Sequence, residues 1–353
     1  MEGNGFYNKA ALCQLGLVDL TQDLLSKSIE RYTQHTKNEA AYLRLADLGA
    51  SQGRNSLGLL DRVLTYLDAG LPPHPAREYL VLHEDQPAND FASLLDTLNS
   101  PLSYIHARPN VFTGVIAKSF YERLVPSASI DIFVSYIAAH WLSAIPAPLP
   151  GSMVFWKQLD QWALVQASHP DVVETWRNAA HNDFVRFLRL RAAELADGGA
   201  MCMTIVSDDE QVRTRYYHLV MAHALQDMVA AGELSPATLD RMAVCICNRT
   251  TDEAQRAFAD VPEVTLHDLQ HVVMDFSFDS ARAAADFFLS IFKPSFMSAM
   301  TDAERDDPAV TDALVARMTT RFGENVRDDV QPYYQDVPIS YMYLSFTRVA
   351  RAL

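Results

Sequence analysis

The stretch from Tyr42 to Ser56 constrains this chain more than any other. It reads as a short apolar strand, a turn of small residues and the start of a helix. Leu43 and Leu45 suit a buried parallel strand. Gly49 and Gly53 let the backbone turn sharply and approach a ligand with no Cβ in the way. Asn55 and Ser56 stand where a helix N-terminus begins, and Leu57, Leu59, Leu60, Val63 and Leu64 give that helix an apolar face. A strand, a glycine turn and a helix in this order suit a nucleotide-like cofactor at the end of the first strand of an α/β sheet.

The glycine spacing, Gly49-x-x-x-Gly53, is neither the dinucleotide pattern nor a phosphate loop, because no Gly-Lys-Ser/Thr follows. Asp47, two residues before the first glycine, fits a ligand with an amino-acid end rather than a pyrophosphate. S-adenosylmethionine is such a ligand. A tight strand-to-helix turn with no ligand is the plainer reading of this stretch alone.

A chain of 353 residues with 49% hydrophobic content has ample material for one large or two modest domains. A formal net charge of −15 argues against nucleic acid and anionic membrane surfaces as main partners. The start, Met1 to Gly5, lacks the basic and apolar regions of a signal peptide, and no apolar run is long enough to span a bilayer. Four cysteines imply no disulfide framework, and Cys245-Ile246-Cys247 has the wrong spacing for a Cys-x-x-Cys site. These observations predict a soluble, cytoplasmic protein.

Along the chain, strands are predicted at Tyr79–His83, Val111–Val115, Ile130–Tyr136, Ala200–Val206 and Ile339–Phe346, with a short one near Val261–Leu266. Helices are predicted within 6–37, from the glycine turn to about Asp68, from Asn89 to about Leu98, over 172–196 with Gly198-Gly199 as the stop, and over 214–231. The alternation predicts an α/β core of the Rossmann-like type, helices on both faces, and an α-helical cap. The expected division is a cofactor-binding core over 1–235 with a cap insertion near 145–180, a mainly helical cap over 236–335, and a strand over 336–353 that returns to the core. His267 and His271 have the i, i+4 spacing of two ligands on one helix face. With no third ligand pattern beside them, no metal is expected.

Several blocks in order match one family. Tyr7-Asn8-Lys9 followed by Gln14 is similar to Ser-Tyr-x-x-Asn-Ser-x-x-Gln. The run from Ala46 to Ser56 is similar to Ala-Asp-Leu-Gly-Cys-Ser-Ser-Gly-Pro-Asn-Thr, and the run from Glu84 to Phe91 to Asn-Asp-Leu-Pro-Gly-Asn-Asp-Phe. Ser119-Phe120-Tyr121-Glu122-Arg123-Leu124-Val125-Pro126 is similar to Ser-Phe-Tyr-x-Arg-Leu-Phe-Pro, and His140-Trp141-Leu142-Ser143 to His-Trp-Leu-Ser. Phe184 to Gly199 follows Asp-Phe…Phe-Leu…Arg-Ala-x-Glu-Leu-x-x-Gly-Gly. Through these blocks, which span about residues 5–230, the chain resembles the SABATH methyltransferases. That family transfers a methyl group from S-adenosylmethionine to carboxylates of small acids or, in a subgroup, to ring nitrogens of xanthines.

The resemblance implies S-adenosylmethionine as cofactor, S-adenosylhomocysteine as its product and a homodimer. Asp47, Gly49, Ser51 and Asn55 would line the methionine end of the cofactor. Asp85 would hold the ribose hydroxyls, and Ser119 and Phe120 the adenine. Tyr7 would lie near both cofactor and acceptor, Gln14 and Trp141 would donate hydrogen bonds to the acceptor carboxylate, and His140 would line the same pocket. The residue types suit this chemistry. A carboxylate is already ionised at neutral pH, so placement and exclusion of water matter more than a strong base. Indole and amide N–H groups orient a carboxylate without giving it a proton.

Where the family has Tyr three residues before the His of His-Trp, this chain has Ile137. Tyr136 is one place earlier, which on a continuing strand is the opposite face. The family's aromatic clamp aligns with His218, and Phe288 with a Met that packs on flat acceptors. An imidazole there suggests a more polar acceptor, heteroaromatic or dicarboxylic. Phe276, Phe278, Phe287, Phe292 and Phe296 line the pocket or form the core of the cap. The expected activity is methyl-ester formation on small carboxylic acids. The alternatives are N-methylation of a purine-like heterocycle and a cofactor-binding interaction protein without turnover.

Overall fold

The computed structural model describes residues 15–35, 41–208, 216–324 and 332–350. In chain order the elements are α1 (Leu15–Leu20), α2 (Gln22–His35), β1 (Tyr42–Leu48), α3 (Arg54–Gly70), β2 (Glu78–Asp85), α4 (Phe91–Leu98), β3 (Val111–Ala117), β4 (Ile130–Tyr136), α5 (Trp162–Ser168), α6 (Pro170–Glu194) and β5 (Leu195–Val206). There follow α7 (Tyr216–Ala230), α8 (Pro236–Arg241), α9 (Thr251–Ala259), β6 (Val264–Phe276), α10 (Ala281–Ala299), α11 (Asp302–Asp306), α12 (Pro308–Gly323) and β7 (Val337–Arg348).

The strands form one sheet in the order β3-β2-β1-β4-β5-β7-β6. The first five are parallel, and β7 runs antiparallel between β5 and β6. Alternate residues of the central strands feed two separate cores. Leu43, Leu45, Ile132 and Val134 pack under α2 and α3, whereas Leu48, Phe133, Met201 and Met203 pack against α6 and α9. Both faces of the parallel part are therefore covered, which is why those strands read as nearly continuous apolar runs. The apolar face expected for α3 is the buried one, from Leu57 to Leu67. A third core joins α7, α10 and α12 into a helical layer beside the sheet.

The chain order turns back between β1 and β4, so the strand ends carrying Asp47, Asp85 and Tyr136 open on one side of the sheet. Ligands settle in such a crevice, outside the carboxyl ends of parallel strands.

Two expectations need correction. The short strand near Val261–Leu266 is instead the long edge strand β6. A register shift between Leu266 and Asp268 breaks its alternation, and as an edge strand it tolerates polar side chains on both faces. His267 and His271 are thus on a strand, not a helix. His267 Nε2 bonds Thr347 Oγ1 and His271 Nε2 bonds Thr251 Oγ1, each at 2.8 Å. Among the described residues no group of three potential metal ligands occurs. The second correction is at Gly198-Gly199. The helix ends earlier, at Glu194, and both glycines lie inside β5, where a Cβ on Gly199 would come within 2.9 Å of the Ala196 carbonyl oxygen.

Candidate active site

The turn after β1 is built for close approach. Gly49 has φ +80°, and a Cβ there would lie 2.4 Å from Ala138 Cβ. Gly53 has φ +90° and caps α3 in the left-handed conformation. The Gly49 and Ala50 amides both donate to the Glu84 carbonyl, at 3.0 and 2.9 Å. The turn is thereby laced to the end of β2. Asp85 completes the lacing, since its carboxylate accepts from the Ser51 amide at 2.7 Å and the Gln86 amide at 2.8 Å. Asn89 Nδ2 donates to the Ser51 carbonyl at 2.7 Å. Asp47 is buried and accepts from the Ser56 hydroxyl.

Burial pushes the Asp85 carboxyl up, against the pull of its two amide donors. Burial also pushes the Glu84 carboxyl well above the usual carboxylate range, with the neighbouring Asp85 charge adding to it. Each Asp85 oxygen takes one amide and keeps lone pairs for a further donor, as a ribose diol would supply.

A cavity of about 440 Å³ opens on this turn. Asp47, Gly49, Ser51, Asn55, Asp85 and Phe120 line it, and so do Ile137, His140, Trp141 and Phe288. Tyr7 and Gln14 lie outside the described residues. Ser119 is not in the wall; its hydroxyl oxygen accepts from the Tyr121 amide at 3.2 Å. His218 is not in the wall either. Its ring, 2% exposed, stacks on Phe155 with centroids 4.3 Å apart, and the preceding Tyr217 lines the cavity instead. Tyr217 in turn stacks on Phe288 at 4.9 Å, and Phe288 on Phe322 at 5.0 Å. Of the other phenylalanines, Phe287 and Phe292 reach the cavity, while Phe276, Phe278 and Phe296 pack in the helical core. An apolar aromatic roof therefore stands where a polar clamp was expected.

Tyr136 lines the cavity as well as Ile137. The opposite-face argument fails because β4 ends at Tyr136 and Ile137 has φ +58°, so pleat alternation no longer applies. The Tyr136 hydroxyl shares a 3.0 Å hydrogen bond with Thr21 Oγ1. Leu59, Cys245 and Ile291 also line the cavity and carried no sequence motif that pointed to it, and Asn89, from the 84–91 block, lines it too. Burial raises the Cys245 thiol to about 11, so it is a packing group and not a nucleophile at neutral pH.

The loop after β4 is tied down residue by residue. Arg249 Nη1 donates to the Ala139 carbonyl at 3.0 Å, the Cys247 amide to the His140 carbonyl at 2.8 Å, and the Leu142 amide to the Cys245 carbonyl at 2.8 Å. Ser143 bonds Asp183 through both its amide and its hydroxyl, at 2.7 and 2.8 Å. A loop held this way presents the Trp141 indole in a fixed place.

Burial, with Arg249 nearby, lowers His140 to about 3, so its imidazole is neutral across the physiological range. The unfolded chain takes up this proton near pH 6.5 and the native chain does not. Stability therefore falls as pH drops from about 6.5 toward 3, by up to about 1.4 kcal/mol per pH unit from this residue. His140→Gln removes that contribution. Denaturant unfolding between about pH 4 and 6.5 is expected to show the variant gaining on the parent as pH falls. Parallel curves would show that His140 does not carry the acid sensitivity.

In chemical terms, the cavity joins buried carboxylates suited to hydroxyl and ammonium donors with an apolar chamber bearing one oriented indole. Asp47 and Asp85, the Cβ-free turn and the Phe120 face fit an adenosyl amino-acid cofactor.

Comparison with known proteins agrees. A family profile described as SAM dependent carboxyl methyltransferase matches residues 2–342. Methyltransferase LUC1 of a Fusarium species is 28% identical over 266 residues, covering 74% of this chain and 67% of the relative. The jasmonate O-methyltransferase of Arabidopsis thaliana is 23% identical, covering 99% and 95%. A solved structure of a loganic acid methyltransferase with SAH superposes with a TM-score of 0.81 at 18% identity, over 99% of this chain and 98% of that one, and has the same fold.

Proposed function

The chain belongs to the S-adenosylmethionine-dependent carboxyl methyltransferases, the SABATH family, and we propose that the cavity above is where it esterifies a small carboxylic acid with a flat, apolar body. The observation that carries this reading is the meeting, in one cavity, of the laced Asp47–Asp85 turn with Trp141 and the aromatic roof. S-adenosylmethionine, when bound, supplies a methyl group on a positively charged sulfonium and leaves as S-adenosylhomocysteine.

The chain's own residues hold and orient. Asp85 would accept from the ribose hydroxyls and Phe120 would pack on the adenine. Asp47, Ser51 and Asn55 face the amino-acid end, and Gly49 leaves room for it. Ser119, outside the wall, shapes the loop that presents Phe120. The Trp141 indole N–H orients the acceptor carboxylate; Gln14 and Tyr7, to which the family likeness gives roles beside it, lie outside the described residues. No base is needed, because the acceptor is ionised at neutral pH. His140, neutral and buried, serves as wall rather than as proton acceptor. Methyl transfer from a cation to an anion annihilates charge. An apolar roof of Tyr217, Phe288 and Phe292 therefore favours the reaction by excluding water.

In this reading the cofactor side lies mainly within 1–235, with a cap insertion near 145–180, and the cap mainly within 236–335, except that α7 with Tyr217 joins the helical layer and β6 joins the sheet. The family likeness supports a homodimer, which light scattering would test, and a cytoplasmic location remains part of the proposal. Among the described residues no helix is long and apolar enough to cross a membrane.

The direct test is incubation with methyl-labelled cofactor and a panel of monocarboxylic, heteroaromatic and dicarboxylic acids. Base-labile label is expected, greatest with flat monocarboxylic acids. Label on a xanthine nitrogen instead of an ester would overturn the reading. Within it, Tyr217→Ala is expected to raise the acceptor KM about tenfold through loss of an aromatic wall contact, and His218→Phe less than about twofold. The reverse order would show that the imidazole, not the phenol ring, faces the acceptor.

A further inference from the structure

Two stretches of the matched sequence blocks remain without a role, namely Tyr121 to Ser127 and the Arg191–Leu195 end of α6 and start of β5. The structure joins them. Arg191 and Glu194 are both 0% exposed and pair at 2.7 Å. Arg191 Nη1 donates to the Phe120 carbonyl and Nη2 to the Glu122 carbonyl, each at 3.0 Å. Glu194 Oε1 accepts from the Leu124 amide at 2.6 Å. A buried ion pair is a weak source of stability, because desolvation offsets most of its attraction. What this one does is geometric: it fixes three peptides of the 120–124 loop from outside.

That loop carries two aromatic rings with centroids 4.9 Å apart, edge to face. Phe120 lines the cavity. Tyr121 is 4% exposed, and its hydroxyl donates to the Trp141 carbonyl at 2.6 Å. The neighbouring carbonyls of Ala139 and His140 are held by Arg249 and Cys247, from the segment after α8. The Trp141 peptide is thus tied on both sides, its carbonyl to the loop that carries Phe120 and its Leu142 amide to the Cys245 carbonyl at 2.8 Å, and Tyr121 is the link to the cofactor-side loop.

We propose that Tyr121 is a positioning residue, which sets the Trp141 indole relative to the cofactor-side loop through the Trp141 peptide. Phe120 and Trp141 then keep a fixed relation across the cavity, and Arg191 with Glu194 anchors the assembly. This rests on the functional reading above, since it takes Trp141 to orient the acceptor carboxylate.

Tyr121→Phe removes the hydroxyl and leaves the ring in place. Two measurements are made on the parent and the variant: ester formation over the acid panel, and S-adenosylhomocysteine binding by calorimetry. The expected result is a kcat about tenfold lower, the equivalent of one ordinary hydrogen bond lost from the transition-state geometry, with acceptor KM changed less than about threefold. Affinity and stoichiometry for S-adenosylhomocysteine should stay within about twofold of the parent. A kcat within about twofold of the parent would overturn the proposal. So would a binding stoichiometry that falls in step with kcat, since that marks loss of folded protein rather than loss of alignment. If the parent binds S-adenosylhomocysteine but esterifies no acid, the functional reading itself fails and takes the proposal with it.

Discussion

Gly49→Ala is expected to abolish cofactor binding. The added Cβ would sit 2.4 Å from Ala138 Cβ, a separation that real carbon contacts do not reach. Relief would need the turn or the 138–143 loop to move. The turn is held by two amide bonds to the Glu84 carbonyl, and the loop by Arg249, Cys247 and Asp183. The φ of +80° adds roughly 1–2 kcal/mol for any residue with a Cβ. Neither side can give, so the strain falls on the site itself. Calorimetry with S-adenosylhomocysteine should show affinity reduced at least about a hundredfold, with the melting temperature several degrees lower. Binding within about threefold of the parent would show that the loop yields more easily than its hydrogen bonds suggest.

Asp85→Ala is expected to weaken the cofactor by about a hundredfold, since hydrogen bonds to a charged group contribute about 1.5–3 kcal/mol each. The substitution also releases the Ser51 and Gln86 amides, so part of the loss comes from a looser turn. A second ligand separates the two effects. If Asp85 holds the ribose, the parent should bind 2′-deoxy-S-adenosylhomocysteine much less tightly than the full ligand, and the variant should bind the two alike. A variant that still discriminates between them would assign the ribose to another residue.

The half of the cavity at the ends of β1 and β2 was legible because its residues are local in sequence. Asp47, Gly49, Ser51 and Asn55 share one turn, and Asp85 ends the next strand, so strand and turn signals alone bring them together. The acceptor half is assembled from distant helices, and there the sequence ran short. α7 is buried almost all round, at Tyr217, His218, Val220, Met221, Ala222, Ala224 and Leu225. A helix without a polar face has no phase to read, so alignment alone pointed to His218, whereas the residue that lines the cavity is Tyr217. Ile137 and Tyr136 posed a related problem. Their shared place in the wall depends on a left-handed residue at a strand end, and nothing in Tyr-Ile-Ala announces it. β6 hid for a third reason: a bulge and two histidines interrupt its alternation, and an edge strand is under little pressure to be apolar.

The position of β7 between β5 and β6 has a consequence for how the polypeptide is made. A ribosome releases β6 well before it releases β7, its pairing strand among the described residues. Throughout that interval the nascent chain carries an open edge on β5 and two on β6, all of them templates for a wrong strand from a neighbouring chain. Pairing so distant in sequence is also slow. The strand order thus leaves these edges to be closed last, when β7 slots between β5 and β6.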